Sequence, residues 1–283
     1  MPFPPRLECP VCGSPLEPDA AVRTLACAAG HRYDAAKQGY FNLLTGAGTK
    51  FQADTAAMVQ ARADFLAAGH YRPMAAELAR LISGAAPAAA TVLDAGAGTG
   101  YYLGQVLPVL PGASAVAMDI SKYALRRAAR TLPGSYALVW DVWRRLPLPD
   151  ASVDVVVNVF APRNPGEFRR VLAPGGVLAV VTPGPDHLQQ IRAAAGMLGI
   201  GGEKEERVAA ALGREFSPVD TIHCRYDMQL AAADLRNVAL MGPSARHLDP
   251  EALAETVARL ELPLQVTASF SLQLFRANST TGG

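Results

Sequence analysis

The chain has 283 residues, of which 50% are apolar and 18% charged, with a formal net charge of +1. That length allows one large domain or two with a buried core, and the composition excludes a disordered, collagen-like or repeat chain. No apolar run reaches the roughly 18 residues that cross a bilayer, and Met1-Pro2-Phe3-Pro4-Pro5 lacks the charged start and hydrophobic stretch of a secretory signal. A cytoplasmic protein is therefore expected. The near-neutral charge leaves a nucleic-acid partner open, because a neutral total can hide a basic face. Of the four cysteines, Cys9, Cys12 and Cys27 lie close together and Cys224 stands alone, which is not the pattern of a disulfide scaffold.

Residues 6 to 44 are dense in Cys, Gly, Pro and polar groups, with short alternating stretches such as Arg32-Tyr33-Asp34, and predict a small β-rich module. Between Asp54 and Leu81, Met58, Ala61, Phe65, Leu66, Met74, Leu78 and Leu81 recur at helical spacing. They predict two helices joined near Gly69. From residue 91 short β-branched runs alternate with helical stretches: Thr91–Leu93, Ala115–Met118, Tyr136–Val139, Val153–Val159 and Val177–Val181. Near-continuous apolar strands of this kind imply a parallel sheet covered on both faces. Later come an amphipathic helix (Glu203–Leu212), a strand around Ile222–Leu230, a helix (Pro250–Leu260) and a strand (Val266–Phe275). The two late strands predict a terminal hairpin inserted into the sheet. The expected division is 1–44 for the β-rich module, 45–90 for a helical linker and 91–283 for an α/β domain.

Cys9-Pro-Val-Cys12-Gly is followed fourteen positions later by Cys27 and, after three more residues, by His31. Three thiolates and an imidazole suit tetrahedral zinc, and the two-residue gap lets one tight turn present two sulfurs, with Gly13 free to take a positive φ. With every position filled by protein the metal is expected to be structural. A redox CxxC expects a βαβ unit around it, and none surrounds Cys9. Cys224 reads as a buried thiol.

Val92-Leu93-Asp94-Ala95-Gly96-Ala97-Gly98-Thr99-Gly100 joins the first buried strand to a helix. A glycine loop here also serves dinucleotides, but their spacing is Gly-x-Gly-x-x-Gly and cradles a pyrophosphate. Here the last gap is one residue shorter, and Asp94 at the entrance repels phosphate while it can accept from an ammonium. Asp119 ends the second strand 21 residues beyond Gly98, where open α/β folds hold ribose hydroxyls, and Asp141 follows the third. Three carboxylates at successive strand ends suit a cationic amino acid, a diol and an adenine amino group, which together describe S-adenosylmethionine.

At this point the chain resembles a known family: the class I methyltransferases, with a doubly wound Rossmann-like sheet, that methylate N1 of a guanine in a hairpin loop of 23S ribosomal RNA. The resemblance runs from the cysteine knuckle through Gly39-Tyr40-Phe41-Asn42-Leu43-Leu44, Met58-Val59-Gln60-Ala61-Arg62 and Phe65-Leu66-Ala67-Ala68-Gly69-His70-Tyr71. It continues through the glycine loop to Leu172-Ala173-Pro174-Gly175-Gly176 and Thr182-Pro183-Gly184-Pro185-Asp186-His187-Leu188. Asn158-Val159-Phe160-Ala161-Pro162-Arg163-Asn164-Pro165 together with Thr99 is similar to the actinobacterial branch linked to resistance to tylosin-type macrolides. In the other branch the Thr99 position resembles a glutamate. The resemblance implies zinc on Cys9, Cys12, Cys27 and His31, and cofactor contacts from Tyr71, Gly98, Thr99 and His187. The loop reading adds Gly96, Gly100, Asp94, Asp119 and Asp141.

Guanine N1 carries a proton at neutral pH, so a catalyst must align the base and help that proton leave. Asn158 ends the fourth strand, and its amide is expected both to donate to a guanine carbonyl and to accept from an N–H, which makes it the candidate catalytic residue. His70 and His187 are the groups expected to titrate near neutrality. Phe160 is a candidate for stacking on an extruded base, and Met241–Arg246 for overhanging the pocket. Phosphate contacts are expected from Arg6, Arg23, Arg32, Lys37, Lys50 and Arg163, whereas Lys122, Arg126, Arg127 and Arg130 recur on one helix as a solvated face. The expected partner is 23S rRNA or the large-subunit precursor, and a homodimer is compatible with the sequence. The competing readings are a small-molecule methyltransferase and a zinc-stabilised RNA-binding module without turnover.

Overall fold

A computed structural model of the chain describes residues 5–19, 21–46, 48–194, 205–242, 245–246 and 248–278. The N-terminal part is a four-stranded antiparallel ribbon, β1 (Leu7–Glu8), β2 (Pro15–Asp19), β3 (Thr24–Ala26) and β4 (Arg32–Asp34), paired in sequence order. Next, β5 (Phe41–Asn42) leaves the ribbon and pairs in parallel with β8 (Tyr136–Val139), where Phe41 meets Tyr136 edge-on at 6.2 Å. Two helices follow, α1 (Ala56–Ala67) and α2 (Arg72–Ser83). The Thr55 hydroxyl caps α1 by accepting from the Met58 N–H, Pro73 opens α2, and Gly69 turns between them at a φ of +85°.

The parallel core is β6 (Thr91–Ala95), β7 (Ser114–Asp119), β8, β9 (Val153–Val159) and β10 (Leu172–Pro183), with α3 (Tyr101–Val106), α4 (Lys122–Thr131) and α5 (Pro165–Val171) in the crossovers. Beyond α6 (Gln189–Ala194) and α7 (Glu205–Leu212) come β11 (Phe216–Leu230), α8 (Ala232–Leu240), α9 (Pro250–Ala258) and β12 (Leu264–Ala277). The strand order is β11-β12-β10-β9-β6-β7-β8-β5. The antiparallel β12 thus lies between β10 and β11, as the expected hairpin requires, although its connection holds α8 as well as the anticipated helix. Residues 203 and 204, with which the predicted amphipathic helix begins, lie outside the described residues.

Alternate residues of the strands bury opposite faces. Val92, Ala117, Val157 and Phe270 face a core closed by α1–α4, with Phe65, Leu78, Leu103 and Leu125. Leu93, Val116, Leu138 and Val156 face a second core that contains ribbon residues Leu7, Leu16 and Leu25 together with Trp140, Phe168, Leu212 and Phe216. The ribbon therefore serves as part of the layer that covers the second face, and the Glu8 N–H bonds the Pro147 carbonyl at 3.0 Å. On α4, Ala124, Leu125 and Ala128 point inward; Lys122 is exposed, Arg126 lies over Tyr123, and Arg127 bonds Gln60. Among the described residues no helix is long and apolar enough to cross a membrane.

Candidate active site

Two tight turns build the metal cluster. The Gly13 N–H bonds the Cys9 carbonyl at 2.8 Å with Gly13 at a φ of +72°, and the Gly30 N–H bonds the Cys27 carbonyl at 3.0 Å with Gly30 at +86°. The ligand atoms of Cys9, Cys12, Cys27 and His31 all lie within 4.8 Å of one another. Cys12 Sγ stands 3.7 Å from Cys27 Sγ, and His31 Nδ1 stands 3.3 Å from Cys27 Sγ and 3.5 Å from Cys9 Sγ. Sulfurs at about 2.3 Å from a tetrahedral zinc are about 3.8 Å apart, so this donor set fits the ion and leaves no open coordination position. Cys224 sits in β11 opposite Phe270, and burial pushes its thiol up.

The predicted cofactor residues meet along the C-terminal ends of the parallel strands. Gly96, Gly98 and Gly100 have φ of +96°, +55° and +80°. A Cβ on Gly96 would lie 2.3 Å from the Ala161 Cβ, and one on Gly100 would lie 2.8 Å from Leu132 Cδ1. At Gly98 the nearest atom to an added Cβ would be the Arg62 guanidinium at 3.9 Å, an ordinary van der Waals contact, so this glycine is not packed tightly as Gly96 and Gly100 are. Thr99 is buried beside it.

The carboxylates differ. Asp94 is buried, its Oδ2 has no hydrogen-bond partner among the described residues, and burial together with the charge of Asp119 pushes its carboxyl up to about 8. Asp119 accepts from the Gly98 N–H at 2.9 Å and the Ser121 N–H at 2.7 Å, and burial raises its pKa. Asp141 accepts from the Thr49 hydroxyl at 2.7 Å and the Trp143 N–H at 3.0 Å. Thr49 lies between β5 and α1, and a cleft of about 340 Å³ opens there, lined by Leu44, Thr49, Asp54, Ile120, Tyr123 and Val139.

Tyr71 is buried where α2 begins, edge-on to Phe65 and Phe270. His187, from the turn after β10, has Nε2 3.0 Å from the Tyr71 hydroxyl, and its Nδ1 accepts from the Ser269 N–H at 3.2 Å. Burial, reinforced by Arg192, pushes His187 down to about 4. This corrects the expectation that His187 titrates near neutrality, because its apolar surroundings disfavour the cation. His70 sits 3.1 Å from Asp234 and packs on Phe65, and is held structurally between α1 and α8.

Asn158 is fully buried at the end of β9. Its Nδ2 donates to the Ala95 carbonyl at 2.9 Å and to the Pro162 carbonyl at 3.0 Å, while Oδ1 has no partner among the described residues. Two carbonyls fix the amide orientation, so the expectation that Asn158 donates to a guanine is corrected: both hydrogens are committed to backbone, and one acceptor remains. Phe160, two residues on, is 42% exposed at a φ of +53°, with Tyr71, Tyr102 and Phe270 around it. It is not a core residue.

Sequence reasoning missed three neighbours of the site. Arg62 pairs with Asp54 and donates to the Met241 carbonyl at 2.6 Å, spanning the glycine loop between α1 and α8. Thr49 reaches Asp141, and Trp143 stands beside it. Only Arg62 carried a signal, since it closes the Met58–Arg62 motif. Of Met241–Arg246, residues 243 and 244 lie outside the described residues, and Arg246 donates to the Gln52 and Ala53 carbonyls.

Residues 7–46 match the family model of the RlmA N-terminal zinc ribbon, and residues 92–176 match that of a methyltransferase domain. The chain is 48% identical, over 96% of its length and 97% of the other's, to a protein of Micromonospora griseorubida assigned to the 23S rRNA (guanine-N1)-methyltransferases. It is 44% identical, over 95% and 96%, to the 23S rRNA (guanine(748)-N(1))-methyltransferase of Streptomyces fradiae. This chain belongs to the 23S rRNA (guanine-N1)-methyltransferase family. Among solved structures, MccD protein superposes at a TM-score of 0.50 with 16% identity, over 71% of this chain and 96% of that one. YcgJ from Bacillus subtilis gives 0.50 and 15%, over 70% and 97%. These likenesses carry the class I methyltransferase fold alone. The buried Asp94 Oδ2, without a partner among the described residues, beside a glycine loop that is loosely packed at Gly98, fits the ammonium end of S-adenosylmethionine.

Proposed function

We propose that this chain transfers a methyl group from S-adenosylmethionine to N1 of a guanine in a 23S rRNA hairpin loop, at the position equivalent to 748 in the Streptomyces fradiae enzyme's name, and that this protects the ribosome against tylosin-type macrolides. The observation that carries the reading is the end-to-end match to that enzyme, ribbon included. Its place of action is the cytoplasm, where ribosomes are built.

When bound, S-adenosylmethionine supplies an electrophilic sulfonium methyl. The chain's residues do the holding. Asp94 accepts from the ammonium, Gly96, Gly98, Thr99 and Gly100 admit the amino acid portion against the backbone, Asp119 takes the ribose hydroxyls and Asp141 the adenine end. Tyr71 and His187 would add a neutral, aromatic surface against the cofactor. Asn158 keeps Oδ1 for an N–H of the guanine edge, and Phe160 offers its exposed ring to an extruded base. Because its imidazole stays neutral with Nδ1 engaged, His187 orients and does not take the N1 proton. Cys9, Cys12, Cys27 and His31 hold zinc, which keeps the ribbon's Arg23 and Arg32 presented for phosphate contact.

The test is transfer of label from tritiated S-adenosylmethionine to 23S rRNA of a strain lacking the modification. Label in RNA supports the reading; cofactor binding without labelled RNA, naked or ribosomal, favours a small-molecule substrate. Expression in a macrolide-sensitive host tests the resistance part, with a raised tylosin threshold expected and an unchanged one contradicting it.

A further inference from the structure

Two large aromatic side chains stand side by side on the surface between the ribbon and the methyltransferase site. Trp143 is 50% exposed and Phe51 41% exposed, with ring centroids 6.3 Å apart and planes inclined by 34°. Neither fills a core, yet the backbone that carries each is tied by hydrogen bonds. The Trp143 N–H bonds Asp141, the Thr49 hydroxyl bonds the other oxygen of Asp141, and the Phe51 N–H bonds Thr49 Oγ1 at 3.2 Å. Arg144 donates to the Gly48 carbonyl and ties the same two segments again. A bracket of hydrogen bonds thus joins the two backbone segments that present this apolar face to solvent, where burial would otherwise be favourable.

The location and the charge indicate what covers it. The segment from Trp140 to Leu148 packs on the ribbon core at Trp140 and Leu146 and bonds β1 through Pro147, while Asp141 reaches the site. The aromatic pair therefore lies on the way from the ribbon to the strand ends. Lys50 is exposed, with its ammonium 5.5 Å from the Phe51 ring. Aromatic faces flanked by a cation match an unpaired nucleotide, whose base stacks and whose phosphate is neutralised.

We propose that Phe51 and Trp143 form a stacking platform for an unpaired nucleotide of the substrate RNA, with Lys50 contacting the adjoining phosphate. The proposal rests on RNA being the substrate. It adds a second contact region to the ribbon and explains why the linker is bonded to Asp141.

The experiment compares full-length parent, Trp143→Leu and Trp143→Phe for filter binding to deproteinised, unmodified 23S rRNA, with S-adenosylhomocysteine affinity measured by calorimetry. Trp143→Leu keeps apolar bulk and loses the ring, and is expected to weaken RNA binding roughly 5- to 100-fold. Trp143→Phe is expected to stay within a few-fold of the parent, and both to bind S-adenosylhomocysteine unchanged. Acrylamide quenching gives a second reading, because Trp143 is the exposed one of the two tryptophans and RNA is expected to shield it. Unchanged RNA affinity in Trp143→Leu overturns the platform, as does a parallel loss of S-adenosylhomocysteine affinity, which would make the pair a cover for the cofactor. Failure of the parent to bind RNA removes the RNA reading itself, and the platform with it.

Discussion

His187 hydrogen-bonds the Tyr71 side chain, Nε2 to hydroxyl, at 3.0 Å, and the Ser269 N–H donating to Nδ1 decides which way that bond runs. A backbone N–H can only donate, so Nδ1 must be the bare nitrogen and Nε2 carries the proton toward Tyr71. Helix α2 and the turn after β10 are thereby joined through a neutral imidazole.

Protonation of His187 would break that arrangement. Its folded-state pKa of about 4 lies below the ordinary 6.5, so the stability of the neutral ring is complete above about pH 6.5 and is lost as pH falls toward 4. His187→Gln, which cannot titrate, is expected to show a smaller drop in Tm between about pH 7 and pH 5 than the parent. An equal drop in both proteins would contradict the assignment.

Asp94 has the opposite sign. Its carboxyl ionises near 3.8 when free and at about 8 when folded, so its contribution is fully present below pH 3.8 and is lost as pH rises through 8. Asp94→Asn is expected to be more stable than the parent near pH 8, by on the order of a few kcal/mol, and equal to it near pH 4, while losing affinity for S-adenosylmethionine. Denaturant titrations at the two pH values and calorimetry check both halves; retained cofactor affinity would remove Asp94 from the site.

Gly96 and Gly98 separate fold from binding within one loop. Gly96→Ala drives a methyl to 2.3 Å from the Ala161 Cβ and is expected to destabilise the chain strongly. Gly98→Ala meets only Arg62 at 3.9 Å, so its stability loss reflects its φ of +55° alone, on the order of 1 kcal/mol. Its methyl nevertheless fills the cradle, so cofactor affinity falls. Similar denaturation midpoints for the two variants would contradict this packing.

Zinc removal reaches beyond the ribbon, because Leu7, Leu16 and Leu25 share a core with Trp140, Leu146 and Leu138. Chelation is expected to lower Tm and weaken RNA binding while S-adenosylhomocysteine binding survives, since Ala97 of the glycine loop packs in the opposite core. Unaltered melting after chelation, with metal loss verified by atomic absorption, would contradict a structural role.

The parallel strands were legible because both faces are buried and their sequences are nearly uniformly apolar. The metal cluster was legible from spacing. Helix α8 was not, since its N-cap is Ala231, whose methyl cannot accept from the first turn, and only Asp234 marks the start by accepting from the Ala231 N–H, and β5 has two residues, too few to show a period. That these residues gather at the strand ends could be read, but their states could not. Asn158 spends one donor on the Ala95 carbonyl of β6 and the other on a turn whose course depends on the left-handed Phe160, and the neutrality of His187 comes from neighbours such as Phe270, 4.6 Å away and distant in sequence.

The central claim is tested most directly by primer extension on 23S rRNA from a strain lacking the modification, after incubation with the purified protein and S-adenosylmethionine. N1 methylation removes the Watson–Crick edge, so one new arrest at a guanine of the hairpin loop is predicted, absent without cofactor and absent with Asp94→Asn. An unchanged arrest pattern, on naked RNA and on ribosomal subunits alike, from protein that binds S-adenosylmethionine would contradict it.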